Sequence, residues 1–147
     1  MISKVSYLTG VLALLIIGCG ESGPPIASVE GTITMDGKPL ANASVVFSPE
    51  SGRPAGAKTD AEGHYVLNFS AGRKGAVPGK NRVQIRTGSE GGIADDGSRS
   101  PGTPETVPAQ FNDQSTLEFV VEDGKVNVAD FEVTSEGEIS KREADDN

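Results

Sequence analysis

One cysteine, one histidine and no tryptophan leave this 147-residue chain with little soft-ligand or nucleophilic chemistry. A lone thiol can form neither an intrachain disulfide nor a thiolate zinc site. Catalysis by a Ser–His or Cys–His pair needs an imidazole beside the nucleophile. His64, the only imidazole, directly follows a turn glycine on the outward phase of its strand. Aromatics make up only 5% of the residues, so the ring platforms on which sugars stack are scarce. Positive charge is also short: thirteen Lys and Arg against twenty-one Asp and Glu give a net charge of −8. That argues against a nucleic-acid partner, because phosphate binding rests on clustered positive charge. It also argues against electrostatic attraction to anionic lipid. What the chain does have is nineteen glycines and nine prolines, a turn-rich composition at the length of one ordinary domain.

The cysteine is explained by its position. Met1 to Tyr7 carries Lys4 and no acid, and Leu8 to Ile17 is apolar except for Thr9 and Gly10. This run is too short to span a bilayer comfortably and has the length of a secretory signal core. It ends in Ile16-Ile17-Gly18-Cys19, which resembles the bacterial lipobox. That resemblance implies cleavage between Gly18 and Cys19, a diacylglycerol on the Cys19 thiol, and an acyl chain of the palmitate type on the new amine. Several acyl chains anchor firmly where one binds only marginally. Residues 1–18 are then a lipoprotein signal peptide and 19–26 a lipidated tether. Gly20 rather than Asp after the cysteine implies, by resemblance to Gram-negative sorting, the outer membrane or cell surface rather than the inner membrane.

From Ile26 onward apolar residues recur at period two, the strand signal. The inward sets are Val29, Gly31, Ile33 and Met35; Ala43, Val45 and Phe47; Tyr65, Leu67 and Phe69; Val83 and Ile85; Leu117, Phe119 and Val121; and Ala129, Phe131 and Val133. Asp36-Gly37-Lys38-Pro39, Asp60-Ala61-Glu62-Gly63 and Glu122-Asp123-Gly124-Lys125 supply turns between them. No segment shows an extended helical apolar face. The expectation is an all-β fold, a single antiparallel β-sandwich of about seven strands over 27–133. A long Gly-, Pro- and Ser-rich loop, 88–115, shows no strand or helix pattern, and such a loop in a compact domain is either functional or disordered. Residues 134–147 read as an acidic, disordered tail.

Several stretches resemble the carboxypeptidase regulatory-like (transthyretin-like, prealbumin-like) domain of small bacterial lipoproteins. They are Val29-Glu30-Gly31-Thr32-Ile33 with Asp36-Gly37-Lys38-Pro39-Leu40 and Ala43-Ser44-Val45-Val46-Phe47; Thr59-Asp60-Ala61-Glu62-Gly63-His64-Tyr65; and Gly75-Ala76-Val77-Pro78-Gly79-Lys80 before Val83. Val107-Pro108-Ala109-Gln110-Phe111-Asn112 is similar to a late segment of those lipoproteins. The resemblance implies a prealbumin-like sandwich and a free-standing accessory or interaction module without catalysis or cofactor.

Few residues stand out as site candidates. Asp60 and Glu62 could offer carboxylate oxygens to calcium, but two acids are too few for a cage, and turn formation, with the Asp60 carboxylate bonding backbone N–H groups, is the stronger reading. Asp95, Asp96, Phe111 and Asn112 of the long loop are candidate contact residues, since loops on a rigid scaffold carry function. Arg73, Lys74, Lys80, Arg82 and Arg86 form the one basic concentration. The reading is a non-catalytic, lipid-anchored envelope protein that meets the membrane through its lipid and an unidentified envelope protein or polymer through its surface. A glycan- or calcium-binding accessory module and a small hydrolase stand as the alternatives.

Overall fold

The computed structural model describes residues 23–140. Gly18 and Cys19, on which the anchor expectation falls, lie outside the described residues, as do residues 141–147 of the tail. The strands are β1 (Val29–Met35), β2 (Lys38–Pro39), β3 (Ser44–Pro49), β4 (Ala55–Lys58), β5 (His64–Val66), β6 (Asn68–Ser70), β7 (Arg73–Lys74), β8 (Gly79–Arg86), β9 (Gly92–Ile93), β10 (Arg99–Ser100), β11 (Glu118–Val121), β12 (Asn127–Val128) and β13 (Phe131–Val133). One 3-10 turn covers Ala109–Phe111.

Two sheets face each other, so the fold is the expected β-sandwich. The larger has the strand order β11-β8-β3-β4-β6-β7 and is antiparallel throughout. The smaller is built on β1, which pairs antiparallel with β5 and β2 and parallel with β12 and β13. The two parallel pairings share one register, Val29 opposite Asn127 and Ile33 opposite Phe131, so residues 127–133 form a single strand interrupted at Ala129 and Asp130. At the interruption the Asp130 carboxylate replaces a backbone acceptor, taking the Thr32 N–H at 2.7 Å.

Inward phases fall as the periodicity requires. Val29, Ile33, Val45, Phe47, Leu67, Val83, Ile85 and Val133 are completely buried, and Tyr65 and Val121 nearly so. Phe47 sits at the centre, its ring 6.5 Å from Tyr65, 5.9 Å from Phe119 and 6.2 Å from Phe131. Tyr65 and Phe131 belong to the smaller sheet, so Phe47 joins the two layers.

The alternation Tyr65, Leu67, Phe69 is continuous in sequence but not in pairing. Residues 64–66 pair with β1, whereas Asn68 pairs with β4 in the other sheet. Leu67 is the crossing point. Its N–H donates to Val29 O at 2.9 Å and its carbonyl accepts from Gly75 N at 2.8 Å. Strands that switch sheets in this way form the corners of a sandwich.

The two ends of the sandwich differ in what they carry. The incoming chain docks at one end: Ala27 and Ala76 exchange backbone bonds at 2.9 and 3.0 Å, and Arg73 Nη2 donates to Pro24 O at 2.9 Å. Ala76 lies just before β8 begins at Gly79. The long loop leaves from the other end of β8, after Arg86, an eight-residue strand and hence about 23 Å away.

Segment 134–140, expected as the start of a disordered tail, is exposed up to Ile139, with Ser140 half-buried, and is held in place. Ser135 N donates to Asp36 Oδ1 at 3.1 Å and Ala109 N to Glu138 O at 2.8 Å. The hydroxyl and backbone N–H of Ser135 hold the Asp36 carboxyl below its ordinary value. The hydrophobic pattern gave no sign of this, because polar and backbone groups do the holding.

Candidate functional site

The loop 88–115 divides into two parts of different character. Residues 88–104 form a projecting arm in which Ile93 pairs with Arg99, Gly92 with Ser100, and Ser89 with Thr103. Apart from half-buried Gly88 at its start, this arm is exposed, and Ile93 near its tip is 69% exposed. Residues 105–115 pack back onto the sandwich, with Val107, Ala109, Asn112 and Ser115 buried.

Glu105 ties the root of the arm. Its Oε1 accepts the N–H groups of Thr87 at 2.9 Å, Thr106 at 3.0 Å and Val107 at 2.9 Å, and the Thr87 hydroxyl at 2.9 Å. Its Oε2 accepts Gly88 N at 3.2 Å. Burial pushes this carboxyl up, but the bonds from Thr87, Val107 and Gly88 outweigh it and hold the group below its ordinary value. Hydroxyl pairs continue the tie, Thr87 with Thr106 and Ser89 with Thr103, both at 2.8 Å.

A carboxyl whose folded value is depressed contributes stability above its ordinary titration range and loses it as pH falls through the folded value. The Glu105→Gln variant is therefore expected to be less stable than the parent by about 1–2 kcal/mol at pH 7. The gap should close as pH falls below the ordinary glutamate range and through the depressed folded value. Urea unfolding of both proteins across that range measures it. A gap that does not change with pH would remove Glu105 as the charged tie.

The outward row of β8 holds the packed part of the loop. Arg82 donates to Ser115 O and Asp113 O, both at 2.9 Å, Gln84 to Asn112 O at 2.9 Å, and Arg86 Nη2 to Asp113 Oδ1 at 2.8 Å. The basic concentration read from the sequence is thus largely engaged within the fold. Arg73 reaches Pro24 and covers the Phe69 ring, and Lys80 pairs with Glu118 at 3.4 Å.

Of the candidate contact residues, Asn112 is interior and Phe111 half-buried. Asn112 is 1% exposed; its amide donates to Val107 O at 2.9 Å, and its Oδ1 takes the Asp113 N–H and, at 3.2 Å, the Ser140 hydroxyl. Phe111 is half-buried against the core. Both belong to the packed part of the loop and offer little contact surface. Asp95 and Asp96 do lie exposed at the arm's turn, where Asp96 Oδ1 accepts Ser98 N at 2.9 Å.

Asp60, the calcium candidate, caps its own turn: Oδ1 takes Glu62 N at 3.0 Å and His64 N at 2.8 Å. Among the described residues no group of three or more His, Cys, Asp or Glu side chains could hold a metal ion. His64 is exposed, its Nδ1 3.8 Å from Asp60 Oδ2.

At the arm's root two clefts open on either side of the 87–89 and 103–106 segments. The larger, about 650 Å³, is lined by residues including Asn42, Ser44, Lys58, Arg86, Thr87, Pro104 and Thr106. The smaller, about 270 Å³, includes Arg86, Glu105, Asp113 and Ile139. Sequence reading missed this site because its wall is assembled from four separate segments that only the strand register brings together.

No protein-family model matches the chain, and no curated protein is similar to it in sequence. Among solved structures it is similar to a DUF3823 family protein from Parabacteroides merdae, at 13% identity over 76% of this chain and 47% of that one, with a TM-score of 0.40. It is also similar to a 9R-lipoxygenase from Cyanothece, at 15% identity over 90% of this chain and 18% of that one, with a TM-score of 0.41. The chain thus spans about half of the first protein and under a fifth of the second. At these TM-scores neither likeness carries weight, and the fold assignment rests on the sheets themselves.

Proposed function

We propose that this chain is a non-catalytic, lipid-anchored module of the bacterial envelope, of the carboxypeptidase regulatory-like kind, that meets a partner with the arm end of its sandwich. The carrying observation is the division between the two ends of β8. The chain enters beside Ala76 at one end, and the arm and its clefts lie beyond Arg86 at the other. Between Cys19 and Gly23, the first described residue, lie four peptide steps, at most about 14 Å of extended chain. An acylated Cys19 would therefore keep the Ala27 end near the bilayer and turn the arm outward, toward an envelope protein or polymer. The lipobox-like Ile16-Ile17-Gly18-Cys19 supports the anchor. An exposed arm on a rigid scaffold supports the binding role.

Intact mass of the protein from its native membrane fraction tests the anchor. The expected mass is that of residues 19–147 plus a diacylglycerol and one acyl chain. The mass of an unlipidated chain, whole or cleaved elsewhere, would contradict it.

A further inference from the structure

The larger cleft at the arm's root differs in charge from the rest of the molecule. The chain carries a net charge of −8, yet this cleft is lined by two cations, Lys58 and Arg86, and by no carboxylate. Their placement follows from the sheet register. Ser44 on β3 lies opposite Lys58 of β4 on one side and Arg86 of β8 on the other. Residues directly opposite one another across a sheet share a face, and neighbouring strands lie about 4.8 Å apart. The three residues therefore form a cation–hydroxyl–cation row about 10 Å across, measured between strands. They lie on the outward face, because their neighbours Val45 and Ile85 point into the core.

The state of each cation fits a waiting anion. Lys58 is exposed and forms no ion pair among the described residues. Arg86 is fixed by one Nη2 bond to Asp113, and a guanidinium has five N–H donors, so it is positioned with donors left over. The lining also brings the Thr106 hydroxyl and the Asn42 amide, while the Thr87 hydroxyl is taken up by Glu105 and Thr106. No aromatic or large aliphatic side chain lines the cleft. Its volume lies within the range of small-ligand sites.

We infer that this cleft binds a short segment of acidic polysaccharide, its carboxylates placed against Lys58 and Arg86 and its hydroxyls against Ser44 and Thr106. The inference rests on the proposed binding role and gives it a ligand class. Two carboxylates two sugar units apart match the spacing of the row, and a polyol backbone matches the hydroxyls and amide beside it.

Isothermal titration of the full-length chain tests this with polygalacturonate, neutral dextran and polyglutamate as probes. The expected result is saturable binding of polygalacturonate, none of dextran, and at least tenfold weaker binding of polyglutamate. Lys58→Glu should weaken polygalacturonate binding at least tenfold and leave the thermal midpoint unchanged, since that side chain is exposed. Lys74→Glu makes the same charge change on β7, away from the cleft, and should alter binding less than twofold. Absence of polygalacturonate binding would overturn the inference. So would equal losses from the two variants, which would mean bulk charge alone. Polyglutamate binding as tight as polygalacturonate would replace the saccharide with an acidic peptide. A failed anchor would appear in the intact mass and leave this titration untouched, so the two failures are distinguishable.

Discussion

Replacing Phe47 with alanine is expected to lower the unfolding free energy by about 3–5 kcal/mol, the largest loss anticipated for any single truncation in this chain. Phe47 is completely buried and touches three other rings from both sheets. Its removal leaves a cavity between two backbones fixed by their ladders, so the site cannot easily collapse. Edge-on ring contacts add to the loss, since aromatic pairs contribute about 0.5–1.5 kcal/mol each beyond their buried area. For a domain of this size the thermal midpoint should fall by about 12–20 °C. Phe119→Ala is the comparison, because Phe119 is only half-buried on β11 and should cost clearly less. A loss below about 1.5 kcal/mol for Phe47→Ala would mean that the two layers are not joined through this ring.

Gly31→Ala is expected to be nearly as damaging, for a different reason. Gly31 lies opposite Tyr65 on β5 and beside the interruption at Ala129. A Cβ at residue 31 would stand 1.9 Å from Ala129 O and 3.2 Å from the Tyr65 ring. Neither neighbour can give way freely. Ala129 N donates to Glu30 O at 2.8 Å, and Tyr65 Oη donates to Ala129 O at 2.6 Å. That buried bond is one the added methyl would break, while burial, with the Asp130 charge nearby, already pushes the Tyr65 phenol up beyond its ordinary value. Overpacking plus a lost buried hydrogen bond gives about 3–4 kcal/mol. Urea unfolding checks it. A variant within about 1 kcal/mol of the parent would show that residues 127–133 can shift along β1 without cost.

The sandwich could be read from the sequence largely through period-two burial. Val29 and Ile33, Val45 and Phe47, Tyr65, Leu67 and Phe69, and Val83 and Ile85 all face inward as their spacing requires. Pairing is another matter. Nothing in Tyr65-Val66-Leu67-Asn68-Phe69 marks the crossing between sheets, because both inner faces present the same alternation to the core. The parallel register of 127–133 with β1 is equally silent, since a two-residue period does not encode partner or direction.

The loop was the hardest part to read, and the reason is chemical. The loop is held by Glu105 and Ser115, whose side chains bond backbone groups far away in sequence, and by Asn112, which bonds the Val107 carbonyl and the Ser140 hydroxyl. The Ser115 hydroxyl, for example, donates to Val83 O at 2.5 Å. Such residues carry no hydrophobic period, and in isolation each looks like ordinary solvated loop. The basic residues show the converse. Arg82 and Arg86 look like a free charged face in sequence, but their partners on the 112–115 segment engage each of them in part. What remains available, Lys58 and the unused side of Arg86, is visible only once the strands are in register.

The division of the sandwich into an anchored end and a binding end is the central claim, and one depth measurement tests it. With the Cys19 thiol acylated, a single introduced cysteine is the only free thiol. A fluorophore can thus be placed at Lys125→Cys, in the turn beside the incoming chain, or at Ser98→Cys, at the arm's turn. The two lipidated proteins are compared in vesicles containing a headgroup-quencher lipid. The account predicts strong quenching at 125 and little at 98. Equal quenching at both positions, or stronger quenching at 98, would contradict it.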